Sequence, residues 1–417
     1  MAVAYADDFF ETNRWILYIG GLWWPKTYKN TLHKIIYISY SIANFLFCNL
    51  FFTPTEVISL GKTYKNIYFF IKNFSLAQMH VLGLTKVLFF VFRGYKMKAI
   101  ISSLEDKKLH YEDCDEADFH PGVLSNRYKQ VGKVAGIIYL LLPLVVILYA
   151  YSVNAVAAIT YDENNPEKQL PDRLPFFSWM PFRYDTPETH LLALVYQATP
   201  LVSYSFSVIG MDFLFGNIMN CIALNLTIIQ QAFLTIRERV AARVKGPLTS
   251  GDGLSNSDEL QMEMNKEMKK IVQHLQVVYS VCDKLEDAHT YLTLAQTLSQ
   301  LLILCASFYL TSMTPISNQL IIEGIYMFMV ISPIMFYCYF GEEVTKKGGE
   351  IPLAIWQSDW LGATKAYKTS MLLTMARAQK PVHLTTGKFA PLTLATLVSI
   401  FKAAYSFCTF LKNSGNQ

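Results

Sequence analysis

Charge is what this sequence has least of. Only 16% of its 417 residues are Asp, Glu, Lys or Arg, against 52% hydrophobic residues, and the mean hydropathy is +0.26. Soluble domains carry charge on about a quarter of their residues, so an ordinary soluble fold is excluded. Catalytic signatures are missing too: there is no HExxH, GxSxG, P-loop or glycine-rich dinucleotide fingerprint, and His80, His190, His274, His289 and His383 lack metal-ligand spacing. The seven cysteines, Cys48, Cys114, Cys221, Cys282, Cys305, Cys338 and Cys408, never come as CxxC and fall in apolar runs or inner loops, which argues against a metal knuckle and an outer disulfide. An enzyme is not expected, and no catalytic residue, metal or cofactor is assigned. The opening MAVAYADDFFETNR has an acidic pair where a secretory signal has basic residues, so the first apolar run is expected to direct insertion itself.

Long apolar runs stand where the charges are missing. Seven of them, at residues 34–53, 67–92, 134–159, 191–220, 291–313, 320–340 and 389–411, approach the roughly 20 residues a helix needs to cross a bilayer. None alternates like a barrel strand, and backbone groups in hydrocarbon need partners inside their own segment. The expected fold class is therefore an all-α integral membrane protein with seven transmembrane helices, a single unit over 1–417. Most Lys and Arg outside the runs lie in the N-terminal segment and in the loops after runs two, four and six, which predicts a cytoplasmic N-terminus and an extracellular C-terminus. The net charge of +4 follows from these inner loops and fits contact with anionic membrane lipid, with no nucleic acid as partner.

Between the runs, WILYIGGLWWP (Trp15 to Pro25) reads as an amphipathic stretch lying in the inner interface. The outer segment LPDRLPFFSWMPFRYDTPE mixes prolines with Phe176, Phe177, Trp179, Phe182 and Tyr184, and reads either as a packed lid over the outer mouth or as an aromatic interface belt. VKGPLTSGDGLSNSD is a flexible linker. After it Leu260, Met264, Met268, Ile271, Leu275, Val278, Cys282 and Leu285 form a heptad-like stripe through charged sequence. Such a stripe needs burial, against its own chain or against a neighbouring subunit.

Charges within apolar runs are costly and so informative. Lys72 and Glu323 lie near the outer interface, where snorkelling accommodates them, and Lys86 and Asp212 face the bundle or each other. Lys402 resists both readings. With Ser399, Ser406, Thr409 and Asn413 it forms one polar face of the last helix, opposite Leu394, Leu397, Phe401, Ala404, Cys408 and Leu411. Close helix packing explains such a face, and so does a water-filled path around a symmetry axis, with Phe410 beside the stripe as an apolar constriction. Candidate ligand contacts gather in the outer halves of the other runs: Phe69, Phe70, Asn73 and Phe74; Ile147, Tyr149, Ala150, Tyr151 and Asn154; Tyr196 and Tyr204; Phe308; Tyr326. Apolar walls with a few hydroxyls and amides suit a small, volatile, hydrophobic molecule.

YIGGLWWP, LPFFSWMPF and above all the block Gly341 to Leu411, with Trp360, RAQKPVHLTTGKF and YSFCTFL, resemble the insect odorant receptors. The resemblance implies an odorant-gated, non-selective cation channel in the plasma membrane, of a sensory-neuron dendrite. Four subunits would surround a pore lined by each last helix and joined by a cytoplasmic anchor, here about 236–290 and 341–387. An odorant-binding tuning subunit would assemble with a co-receptor subunit into a heterotetramer that passes cations. Phe410 and Ser414 match the positions of the family's outer constriction. The short loop between runs four and five and the tail KNSGNQ fit a tuning subunit better than the co-receptor. AAYSFCTFLK does not fit the TYxxxxxQF of gustatory receptors, the nearest relatives. The alternative from another class is a seven-helix receptor coupled to G proteins, against which the charge distribution and the cysteines speak.

Overall fold

A computed structural model describes residues 8–24, 30–162, 170, 174–176, 178–245, 258–313, 318–380 and 382–415. Its helices in chain order are α1 (Glu11–Ile19), α2 (Thr31–Thr63), α3 (Ile67–Leu104), α4 (Pro121–Ile159), α5 (Pro187–Leu234), α6 (Ile236–Lys245), α7 (Asp258–Met313), α8 (Asn318–Gln357), α9 (Lys365–Ala378) and α10 (Leu394–Gly415). One short antiparallel pair, β1 (Thr385–Thr386) and β2 (Ala390–Pro391), precedes α10. By length and composition α2, α3, α4, α5, α7 and α8 can each cross a membrane, and α10 adds a shorter apolar helix over Leu394–Phe410. The last apolar run thus becomes helical at Leu394 and not at 389, because Phe389 to Pro391 belong to the hairpin. The linker 246–257 lies outside the described residues.

Local chemistry sets the helix starts. Asn66 caps α3 by accepting from the amides of Tyr68 and Phe69. Thr186 and Thr189 form a reciprocal capping box at the start of α5, with Pro187 in the first turn, where no amide is needed. α5 is the centre of the bundle: 94% of its apolar window is buried, against 28% for the more exposed α4. It packs chiefly on α8, while α3 packs on α7, and α10 rests on α7 and α8.

Four of the five intramembrane charges are paired with one another. Lys86 Nζ donates to both oxygens of Asp212 at 2.6 and 2.9 Å, and the hydroxyls of Tyr139 and Tyr337 donate to the same carboxylate. Lys72 and Glu323, read above as snorkelling groups, instead form an ion pair at 3.3 Å between α3 and α8; Glu323 is only 4% exposed, too deep to reach water unaided.

Every residue of the heptad-like stripe, from Leu260 to Leu285, is buried in one core with residues of α5, α6, α8 and α9. The stripe is consumed within the chain, so the intersubunit reading of it is withdrawn. Arg239, 1% exposed, donates to Glu267 at 2.6 Å, and Arg243 does so at 3.0 Å. Burial pushes the Glu267 carboxyl up, but the two guanidinium groups outweigh it and hold it below the usual range. His274, in the charged stretch of α7 ahead of residue 291, lies between Asn225 Oδ1 at 2.9 Å and the Tyr111 hydroxyl at 3.2 Å. Burial, with Lys270 and His110 adding to it, lowers its pKa to about 3, so the ring stays neutral, donating to one side and accepting from the other.

Two outcomes follow. Removing one partner of the central pair strands a buried charge, so Lys86→Met is expected to cost about 3–5 kcal/mol. Lys86→Met combined with Asp212→Asn, which keeps an acceptor for both tyrosines, recovers most of that loss in a thermal melt of purified protein. For His274 the unfolded chain takes up a proton near pH 6.5 and the folded chain does not. Its contribution is full above about 6.5 and falls by about 1.4 kcal/mol per pH unit below it, down to the folded value. His274→Gln is expected to lose less melting temperature than the natural chain between about pH 7.5 and pH 5.5.

Candidate functional site: an apolar cavity beneath the outer mouth and the last helix

Three helices, α5 and two of its neighbours, depart from regular hydrogen bonding at one level in the N-terminal half of α5. Pro143 interrupts α4, Pro333 interrupts α8, and α5 itself relaxes into a π-turn over Ser205–Ile209. Gly83 of α3 faces them, and a Cβ there would fall 1.9 Å from the Tyr204 hydroxyl. Between these irregular stretches lies a cavity of about 140 Å³, and Pro143, Pro333, Gly83, Tyr204, Ser205, Val208 and Ile209 all line it. Its size is close to that of the roughly 150 Å³ apolar cavities that accept a benzene-sized molecule.

The floor is the paired charge: Lys86, Tyr139 and Asp212 all reach the cavity. One side carries His80, whose Nδ1 meets the buried Glu56 carboxylate and whose ring stands edge-on to Tyr204 at 4.5 Å. The α7 side presents Gln296, Gln300 and Ile303, and the α8 side Tyr326, Met329 and Val330. The roof comes from the described part of the outer segment. Phe176 lines the cavity and stacks on Tyr151, and Gln197 Nε2 donates to the Phe176 carbonyl at 2.8 Å and to Ser178 Oγ at 2.6 Å. The Trp179 amide donates to the Thr55 carbonyl, and Phe182 stands edge-on to Tyr196. These contacts are those of a packed lid; Phe177 lies outside the described residues.

Of the residues selected from the sequence, Ile147, Tyr204 and Tyr326 line the cavity. Tyr151 and Tyr196 are one layer above it: the Tyr151 hydroxyl donates to Gln197 Oε1 at 3.2 Å, and Tyr196 packs on Phe47 and Phe52. Phe69 lines a shallower outer pocket with Ser59, Lys62 and Tyr184. Asn73 is buried but ties α3 to α2 through Ser59 and Thr63, while Phe70 and Phe74 stack on each other. Asn154 donates to its own helix at the Ala150 carbonyl, and neither reaches the cavity. Tyr149 is 65% exposed on the lipid-facing side of α4. Phe308 sits in the layer between α7 and α10, edge-on to Tyr405. Sequence reading missed His80, Gln296 and Gln300, which carry no pattern of their own; the prolines inside apolar runs were the available signal.

The last helix divides largely as its periodicity predicts, except that Leu394 of the expected apolar face is exposed and the Leu411 side chain lies outside the described residues. Ile400, Ala404 and Cys408 are buried, and Leu397 and Phe401 pack beside them against Ile303, Leu304, Val330, Ile334 and Cys338. Ser399, Lys402, Ser406, Thr409 and Phe410 are exposed. The Asn413 and Ser414 side chains lie outside the described residues, although the helix continues through Gly415. Two cavity-lining residues, Ile303 and Val330, are also part of the layer on which α10 rests. Cavity and last helix therefore share one buried apolar layer.

Comparison with known proteins agrees with this architecture. Residues 66–405 match the family described as 7tm Odorant receptor. Odorant receptor 10 of Aedes albopictus is 28% identical over 168 residues, 40% of this chain and 44% of that one. Odorant receptor Or2 of Anopheles gambiae is 30% identical over 143 residues, 34% and 38% of the two chains. These matches span less than half the length of either relative. Among solved structures, the insect olfactory receptor OR5 from Machilis hrabei in complex with eugenol superposes with a TM-score of 0.75 at 16% identity, covering 98% of this chain and 100% of that one. Another structure of that receptor gives 0.68 at 15% identity, with 97% and 99% covered. At such identities the likeness is one of fold, and the family follows from the match over residues 66–405. The chain belongs to the 7tm Odorant receptor family.

Proposed function

We propose that this chain is the odorant-binding tuning subunit of a heteromeric, odorant-gated, non-selective cation channel in the plasma membrane, with its N-terminus cytoplasmic and its C-terminus outside. The cavity takes a small volatile ligand, and α10 lines a central pore formed with a co-receptor subunit in a heterotetramer. The observation that carries the reading is the shared layer. A ligand pressing on Ile303 and Val330 presses on the layer that seats Ile400 and Ala404, so occupancy of the cavity biases the position of α10 directly. Two further features support it. The exposed face of α10 carries an ammonium and three hydroxyls that a single chain leaves uncovered, and a receptor of the same fold is known in complex with eugenol, a small aromatic molecule.

In this reading Phe410, 67% exposed, contributes to an apolar constriction that blocks ions by dewetting, with Ser399, Lys402, Ser406, Thr409, Asn413 and Ser414 along or beside the path. The regions 236–290 and 341–387 hold subunits together through outer faces of the inner helices, since the heptad stripe is already buried.

The test is whole-cell current under an odorant panel, with the chain expressed alone and with a co-receptor subunit, while G-protein signalling is blocked. A fast cation current that needs the co-receptor is expected; a response that disappears with the block overturns the channel reading. Ile147→Trp, which fills the cavity from α4, is expected to raise the half-activating concentration by roughly tenfold or more without abolishing the maximal current. Phe410→Ala is expected to raise the basal current relative to the evoked maximum.

A further inference from the structure

The cavity is largely apolar, yet among the described residues three polar atoms at it find no hydrogen-bond partner. Gln296 and Gln300, 2% and 3% exposed, stand one turn apart on α7, and the Oε1 of each is buried without a hydrogen bond. Across from them the Tyr326 hydroxyl is likewise buried and unpartnered. The Gln300 amide is oriented by its own contacts: Nε2 donates to the Val330 carbonyl at 2.7 Å, which leaves Oε1 as the free end. Buried acceptors without donors are uncommon in folded proteins and costly to leave so. Here both belong to side chains that line the same cavity.

We infer that the cavity is built for a mostly hydrocarbon ligand bearing one hydroxyl, an alcohol or a phenol, which donates to a glutamine carbonyl and accepts from Tyr326. The inference rests on the cavity being the ligand site. Two acceptors against one hydroxyl that can act either way leave a donor as the missing partner, so an ether, ester or ketone satisfies only Tyr326. A hydrocarbon satisfies none. An ammonium is disfavoured because the carboxylate at the floor, Asp212, already accepts from Lys86, Tyr139 and Tyr337. A site that must fill a buried hydrogen-bond partner discriminates far more strongly against an analogue lacking it than an apolar wall discriminates by size.

Matched probes test this on the full-length channel: 4-methylphenol, 4-methylanisole and 1,4-dimethylbenzene, together with 1-hexanol, methyl pentyl ether and heptane. The hydroxyl-bearing member of each set is expected to act at roughly ten- to hundredfold lower concentration than its partners. Gln300→Leu and Gln296→Leu are expected to narrow that gap, chiefly by improving the response to the dimethylbenzene and heptane. Equal potency within both sets, or a gap unmoved by both substitutions, overturns the donor preference and leaves the channel reading standing. Thermal stabilisation of the purified assembly by the same six compounds separates binding from gating. Selective stabilisation by 4-methylphenol and 1-hexanol without any current upholds the donor preference and sinks the channel reading; no stabilisation and no current from any probe sinks both.

Discussion

Four helices meet at one carboxylate. Asp212 of α5 receives Lys86 from α3, Tyr139 from α4 and Tyr337 from α8, all buried. In a medium with little water, an ionised carboxylate persists only if its lone pairs are filled, and each donor it requires fixes the rotation and depth of another helix. The pair contributes little net stability over an apolar replacement, but it specifies register, which apolar helices sliding in lipid otherwise lack. Everything around it is placed relative to this level. The inner core, with the consumed stripe of α7, lies on one side, and the cavity opens on the other with the same carboxylate in its floor.

That position gives the cavity a rigid base and a compliant side. The floor is held by charge-assisted bonds, and the α4 and α5 walls are held open by Pro143 and by the π-turn. The wall toward α10 is made instead of aliphatic side chains, Ile303 and Val330, which cluster with Ile400, while the Gln300 amide ties α7 to the Val330 carbonyl beside them. Aliphatic layers repack at small cost compared with a buried ion pair, so in the proposed channel the strain of a bound ligand goes toward α10 and not toward the floor.

Period and hydropathy made the helices legible, because burial in lipid or core acts on each residue according to its face. Hence the polar and apolar sides of α10 and the stripe from Leu260 to Leu285 could be read from spacing, whereas the pairing of Lys86 with Asp212 was one of two alternatives that the cost of an intramembrane charge left open. Helix ends were less legible. Hydropathy cannot see α3, α7 and α8 continuing past the hydrocarbon into the inner core, nor the hairpin that delays α10 to Leu394. The cavity was legible only in part. Ile147, Tyr204 and Tyr326 reach it, whereas Tyr149, as aromatic and as near in sequence, points outward by the turn of the helix. Which side of an apolar run faces in is decided by its neighbours, and for α4, apolar all round, the sequence carries no moment to reveal it.

The hydroxyls of α10 do not by themselves require water. Ser399 Oγ donates to the Ala395 carbonyl at 3.0 Å and Thr409 Oγ1 to the Tyr405 carbonyl at 2.6 Å, so each is satisfied inside its own helix and tolerates lipid. Lys402 is different. It is exposed near the middle of the helix, and among the described residues no carboxylate pairs with it. An ammonium at that depth has no internal substitute for solvation, and exposure to hydrocarbon costs several kcal/mol. The face that carries it must therefore meet water or an acceptor on another chain. This is a face that a single copy in a bilayer leaves incomplete, and it lies opposite the layer shared with the cavity.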